Sequence, residues 1–181
     1  KTVEELHLAI SLRSFRSEKV ANFVHHLLNN EKEQAAAIYQ EIKKVYPICM
    51  TRDLNTAKEW IKKQAEGKNC RYGLIASPQA KRLRAEGIWV ECECTPEKWF
   101  LEGKDDIKSS YFMEEVATEF DIQGLEIDYA LVGWDADYRY ENGHFECYKP
   151  SGSKWQTINK EDNRRYLKNA YRVVLTRARE G

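Results

Sequence analysis

Short apolar runs separated by amphipathic segments of helical period are the feature that most constrains this chain. LEIDYALVGW (residues 125–134) and YGLIAS (72–77) are compact and apolar. A strand that carries apolar residues on both faces must be covered on both. LHLAISL (6–12) alternates as a strand does, and YPICMT (46–51) and WVECEC (89–94) read as further strands. Between them, SEKVANFVHHLLNN places Val20, Phe23, Val24, Leu27 and Leu28 at helical spacing, with Ser17 as the N-cap. A second helix is predicted over 32–44, with Ala35, Ala36, Ile38, Tyr39 and Ile42 inward and Pro47 ending the region. Residues 55–66 read as a helix stopped by Gly67, and QAKRLRAEG as a basic helix. SYFMEEVATEF (110–120) suggests a helix with Phe112, Val116 and Phe120 in the core. Asn142-Gly143, between two alternating runs, fits a type I′ hairpin turn. The last helix is expected from near Lys160 through LKNAYRVVLTRAR. The pattern predicts an α/β fold: a mainly parallel sheet, helices on both faces and a β-hairpin insertion. No repeat or low-complexity linker divides it, so residues 1–181 read as a single domain.

Composition narrows the function classes. The 181 residues are 42% hydrophobic and 12% aromatic, enough for a sizeable core. Basic and acidic residues balance at 29 each, which argues against a wholly polybasic binder. A local basic stripe would still suffice for phosphate contact. Five cysteines, with no CxxC pair, do not make a secreted disulfide framework or a zinc site. Cys92 and Cys94 alternate along the expected strand and so should share a face. Reduced thiols suggest a cytoplasmic protein, and no metal site is expected. No segment has the apolar length of a membrane span, and the opening KTVEEL is no signal region. The abrupt start and stop suggest a piece of something longer.

No GxxxxGK[ST] or GxGxxG segment is present, so this chain alone should not cradle nucleotide phosphates. Three other segments carry chemistry. Leu12-Arg13-Ser14-Phe15-Arg16-Ser17 sets two arginines at a predicted strand end before a helix. That is where open α/β sheets bind ligands, and the guanidinium fork suits phosphate. A pair of surface arginines is the alternative. Thr118 to Asp128 contains Gly124, which permits positive φ or a close ligand, and the alternating acids Glu126 and Asp128. By itself this reads equally as a turn with two acids at a strand start. Asn169 to Glu180 sets Arg172, Thr176 and Arg179 on one helical face with Arg177 elsewhere, a pattern that a solvated helix end also produces.

Taken in order, these segments resemble motifs IV, V and VI of superfamily-one helicases. Thr118 precedes Gly124 by six residues, Gly124-Leu125-Glu126 reproduces the GLE core of motif V, and LTRAR (175–179) follows motif VI. Phe15-Arg16-Ser17 is a looser match to motif IV. RSFRSEKVANFVHHLL, YGLIAS with KRLR, SSYFMEEVATEFDIQGLEIDYALVGWDAD and RRYLKNAYRVVLTRARE together resemble the Schlafen group-3-like DNA/RNA helicase family over nearly the whole chain. The resemblance implies the second, C-terminal RecA-like domain of the helicase, a P-loop NTPase superfamily domain that lacks the P-loop. The N-terminal half with its Walker motifs is absent here, and so is the strand expected after motif VI.

That resemblance implies roles. Arg177 would be the arginine finger and Arg16 a γ-phosphate sensor, with Arg13 as fallback. Gly124, Glu126 and Arg179 would contact nucleotide. Ser77, Lys81, Arg82, Arg84 and Thr118 would touch a single-stranded DNA or RNA backbone. ATP and Mg2+ would be held by the missing N-terminal RecA-like domain, so none is expected bound to this chain alone, which should be inactive by itself. A non-catalytic nucleic-acid or protein-binding module, or part of a nuclease-fused restriction factor, are the alternatives. Asp135 and Asp137 are expected as loop residues rather than a metal pair. His25, His26 and His144 are expected to be at least partly exposed. Trp99, Trp134, Trp155 and Tyr171 are expected to be packing residues, although tryptophans can stack bases.

Overall fold

The computed structural model describes residues 12–181, with side chains from Ser17 onward. The predicted strand over 6–12 lies outside the described residues except for Leu12, which opens helix α1 (Leu12–Leu28). Ser17 is therefore interior to α1 rather than its N-cap, and Arg13 and Arg16 are helical rather than at a strand end. No glycine or proline interrupts Leu12 to Ser17, and Leu and Arg sustain a helix well. A short link containing Asn30 (φ 63) turns the chain into α2 (Lys32–Ile42), antiparallel to α1. Ala35 and Ile42 are buried as expected, whereas Ala36 is exposed. Helix α3 (Leu54–Ala65) is capped by Asp53, which accepts the Thr56 amide, and ends before Gly67 (φ +70).

A three-stranded parallel sheet holds β1 (Tyr72–Ala76) between β2 (Val116–Thr118) and β3 (Tyr129–Gly133). Leu74 pairs with both Val116 and Leu131. Alternation along the strands sorts side chains into two cores. Ile75 and Ala117, with Ile127 from ahead of the bend that precedes β3, join Val20, Val24, Leu28, Ile42 and the Tyr171 face of α5 (Glu161–Leu175). Leu74, Ala76, Val116 and Tyr129 join Ile61 and Ala65 of α3. Helices therefore cover both faces. On the first face, Gly73 admits the Trp99 indole of α4 (Pro96–Leu101), against which any Cβ would collide.

A second, antiparallel sheet follows: β4 (Tyr138–Glu141), β5 (His144–Ser151) and β6 (Lys154–Thr157). Asn142 (φ 50) and Gly143 (φ 89) both adopt positive φ, as a type I′ turn requires. Tyr138, Phe145 and Cys147 face the core, and Trp134, Tyr138 and Phe145 stack on one another and around Tyr171.

Further expectations fail. Residues 46–51 form no strand: Pro47 lacks an amide donor, Met50 is 93% exposed, and the track beside β3 is taken by the chain end at Gly181, which abuts Pro47. Residues 89–94 form a turn, with Trp89 and Cys92 exposed and Cys94 buried, so the two cysteines do not share a face. The segment 110–120 splits into a 3₁₀ turn (Ser110–Phe112), a left-handed Met113 and β2, because Val116 to Thr118 find a parallel partner in β1. Phe112 and Phe120 are exposed, while Val116 is buried. The basic segment Lys81–Glu86 is 3₁₀ rather than α. Finally, β6 was not anticipated, although Gly152-Ser153 is a hairpin signal.

Candidate functional site

Helix α5 stops at Leu175, so Arg172, Thr176 and Arg179 do not share a helical face. The Thr176 hydroxyl donates back to the carbonyls of Arg172 and Val173, and the chain then straightens. Residues 177–181 run parallel beside the leading edge of β3. Ile127 donates to the Arg177 carbonyl (3.3 Å), Arg179 to Ile127 (2.9 Å), Glu180 to Asp128 (2.8 Å) and Ala130 to Gly181 (3.0 Å). This pairing is an isolated bridge rather than a full strand. The ladder holds LTRAR directly against GLEID.

At this N-terminal edge of the sheet, the Arg177 side chain is half-buried, and its Nε is buried with no hydrogen-bond partner among the described residues. Such a donor is costly to leave unmade, and the Nε of Arg172 is in the same position. Arg179 and Glu126 pair with each other at 2.9 Å, both more than a third exposed, and Asp128 lies 4.0 Å from Arg179. An exposed pair of this kind contributes about 0–1 kcal/mol. Asp128 also accepts the Arg71 amide (2.7 Å), joining the starts of β1 and β3, so this acid does cap a strand start. Gly124 has φ +82 and open space where a Cβ would sit. The glycine is required by its backbone conformation, and the surface above it is unobstructed.

The side chains of Arg13 and Arg16 lie outside the described residues, but the backbone of α1 gives their end of the domain. Leu28 accepts from the Tyr138 hydroxyl at 3.1 Å, and Asn29 contacts Lys168, at the far end of α1. Tyr46, beyond the C-terminus of the antiparallel α2, donates to the Ala178 carbonyl at 3.4 Å. The opening turn of α1 therefore lies toward the Ala178 end.

The other candidates gather at the opposite, C-terminal edge of the sheet. Ser77 is fully buried and its hydroxyl accepts the Gln79 amide. Thr118 donates through both its amide (2.8 Å) and hydroxyl (2.7 Å) to Asp121, a partner that the sequence reading missed. Burial pushes the neighbouring Glu119 carboxyl up to about 7. Lys81, Arg82 and Arg84 lie on the exposed 3₁₀ segment; Lys81 pairs with Glu91 at 2.8 Å. Arg82 is anchored by its amide to Asp135 (3.1 Å) and by its guanidinium to the Gly152 carbonyl (3.3 Å). Asp135 and Asp137 are loop residues as expected, but buried ones. Tyr171 donates to Asp137 at 2.5 Å, and burial raises the Asp137 carboxyl to about 7. His25 and His144 are exposed and His26 half-buried, and Trp99 and Tyr171 are core residues. Among the described residues no cluster of three potential ligands forms a metal site, and no helix is long and apolar enough to cross a membrane.

The structure thus brings the GLE segment and TRAR together at one sheet edge and separates them from Thr118 and the basic segment at the other. The family model described as Schlafen group 3, DNA/RNA helicase domain matches residues 1–181. No curated protein and no solved structure matches the chain. Because the match runs the whole length of the sequence, the chain belongs to the Schlafen group 3 DNA/RNA helicase domain family.

Proposed function

We propose that residues 1–181 are the second RecA-like domain of an ATP-dependent DNA/RNA helicase or translocase, completed by an N-terminal RecA-like domain that holds ATP and Mg2+. The observation that carries this reading is the ladder between Ile127 and residues 177–179, which joins GLE to TRAR, while among the described residues no acceptor meets the Arg177 Nε. Arg177 is the arginine finger: its guanidinium stabilises charge on the γ-phosphoryl oxygens. Fingers in related systems are worth about 10³–10⁵ in rate. Arg16, toward the same end of the domain, is the second phosphate sensor, with Arg13 as its neighbour on α1. Gly124 gives the nucleotide an open backbone approach. Glu126 reaches nucleotide only by exchanging its contact with Arg179. The basic segment with Lys81, Arg82 and Arg84 contacts the nucleic-acid backbone from the other sheet edge. Ser77 and Thr118 support that edge from below, given their burial.

In the protein that joins this chain to its phosphate-binding half, Arg177→Ala is expected to abolish nucleic-acid-stimulated ATP turnover while a labelled ATP analogue still binds. Normal turnover in that variant would remove the finger assignment. The mutual neutralisation of Glu126 and Arg179 favours a second reading, a non-catalytic nucleic-acid-binding module. Tight single-strand binding by the chain alone, unchanged by Arg16→Ala and Arg177→Ala, would select it.

A further inference from the structure

Two tryptophans flank the basic 3₁₀ segment, and each carries an arginine of that segment on its ring. The Arg84 guanidinium lies 4.3 Å from the centroid of Trp89, which is 45% exposed. The Arg82 guanidinium lies 5.2 Å from Trp155, the half-buried indole on β6 opposite Pro150. Arg139 continues the series, 5.9 Å from Trp155 and 3.8 Å from the Tyr148 ring. Strand alternation explains the alignment, since Arg139, Tyr148 and Trp155 leave the β4–β5–β6 sheet on the face away from Tyr138, Phe145 and Cys147. Arg82 also grips the Gly152 turn and, through its amide, Asp135, so the hairpin is fixed to the end of the parallel sheet.

Charge at this surface is unevenly matched. Glu91 answers Lys81, and Glu141 answers Arg139 at 3.2 Å. Among the described residues Arg82 and Arg84 have ring partners rather than carboxylate ion pairs. Cations held beside π-faces, at the rim of an exposed basic segment, are complementary to a chain that alternates phosphate with aromatic bases.

We propose that Trp89 and Trp155 are base-stacking residues of a single-stranded nucleic-acid surface that crosses the segment Lys81–Glu86 and continues onto the β5–β6 hairpin. Arg82 and Arg84 bind the intervening phosphates. The inference rests on the nucleic-acid part of the function proposed above and extends it to the hairpin.

The test measures fluorescence polarisation of the full chain with two labelled probes, an oligothymidylate strand and an abasic deoxyribose-phosphate strand of equal length. The Trp89→Ala/Trp155→Ala pair is expected to weaken oligothymidylate binding by about tenfold or more, because each stacked base contributes separately, and to leave abasic binding unchanged. Trp89→Phe/Trp155→Phe keeps a π-face at both positions and is expected to retain most of the affinity, which separates stacking from loss of fold. The proposal is overturned if the alanine pair binds oligothymidylate like the parent, or loses both probes equally. If Arg82→Gln/Arg84→Gln weakens both probes while the alanine pair weakens neither, phosphate contact at this edge stands and base stacking does not. Failure of the parent chain to bind either probe would sink the stacking proposal and the nucleic-acid reading of this edge together.

Discussion

Asp137→Asn tests the interior polar network that links the hairpin to α5. Asp137 is fully buried, accepts from the Tyr171 hydroxyl at 2.5 Å through one carboxyl oxygen, and buries the other without a partner. Burial is the main cause that raises its carboxyl from 3.8 to about 7 in the folded protein. The native state therefore holds this proton more tightly than the unfolded chain does. Its stability is greatest below the unfolded value and falls as pH rises toward the folded one. At 1.36 kcal/mol for each pH unit between the two values, the ionised side chain costs the fold about 4 kcal/mol by about pH 8, of which about 2–3 kcal/mol develops above about pH 5. Asparagine keeps the acceptor for Tyr171 and cannot ionise, but its amide nitrogen replaces the unpartnered oxygen at a pH-independent cost of about 1–3 kcal/mol. The variant should be more stable than the parent at about pH 8 by about 1–3 kcal/mol and should lose that advantage by about pH 5. Urea unfolding followed by circular dichroism at several pH values measures the difference, in which the other titrating groups largely cancel. A difference between variant and parent that does not change with pH would refute the reasoning.

Gly73→Ala should destabilise by about 1–3 kcal/mol or more, because the new Cβ meets the Trp99 ring and lies 2.9 Å from the Ser110 Cβ; chemical denaturation reads it directly. Gly124→Ala meets open space and should cost about 1 kcal/mol through its left-handed backbone alone, so a cost as large as that at Gly73 would contradict the geometry. Glu126→Gln breaks the exposed contact with Arg179 and should change stability by less than about 1 kcal/mol, an effect that shrinks further in high salt. Loss of ATP turnover in Arg177→Ala, with nucleotide binding kept, is the matching catalytic expectation.

Where burial follows period, sequence and structure agree. Val20, Val24 and Leu28 lie on one helical stripe, Leu74 and Ile75 serve opposite cores, and Asn142-Gly143 turns the hairpin because both residues tolerate positive φ. The errors fall where a short run can be a strand only if a partner strand exists. Val116 to Thr118 found one in β1, whereas residues 46–51 did not. Local pattern carries no information about that competition. The Arg82–Trp155 and Thr118–Asp121 contacts were equally hidden, the first because it joins a 3₁₀ segment to a strand much later in the chain and the second because nothing marks an aspartate in a turn as a hydroxyl's acceptor.

Residue order by itself determined the α/β class and the family and singled out Arg16 and Arg177 as candidates, because apolar period and motif spacing are written along the chain. Only the tertiary structure decided that the GLE segment and TRAR occupy one edge of the sheet and Thr118 and the basic segment the other. It also decided that Arg179 and Glu126 satisfy each other while the Arg177 Nε meets no acceptor among the described residues. Those outcomes depend on which strands pair and which donors find acceptors after folding, and both are settled by contacts between residues far apart in the chain.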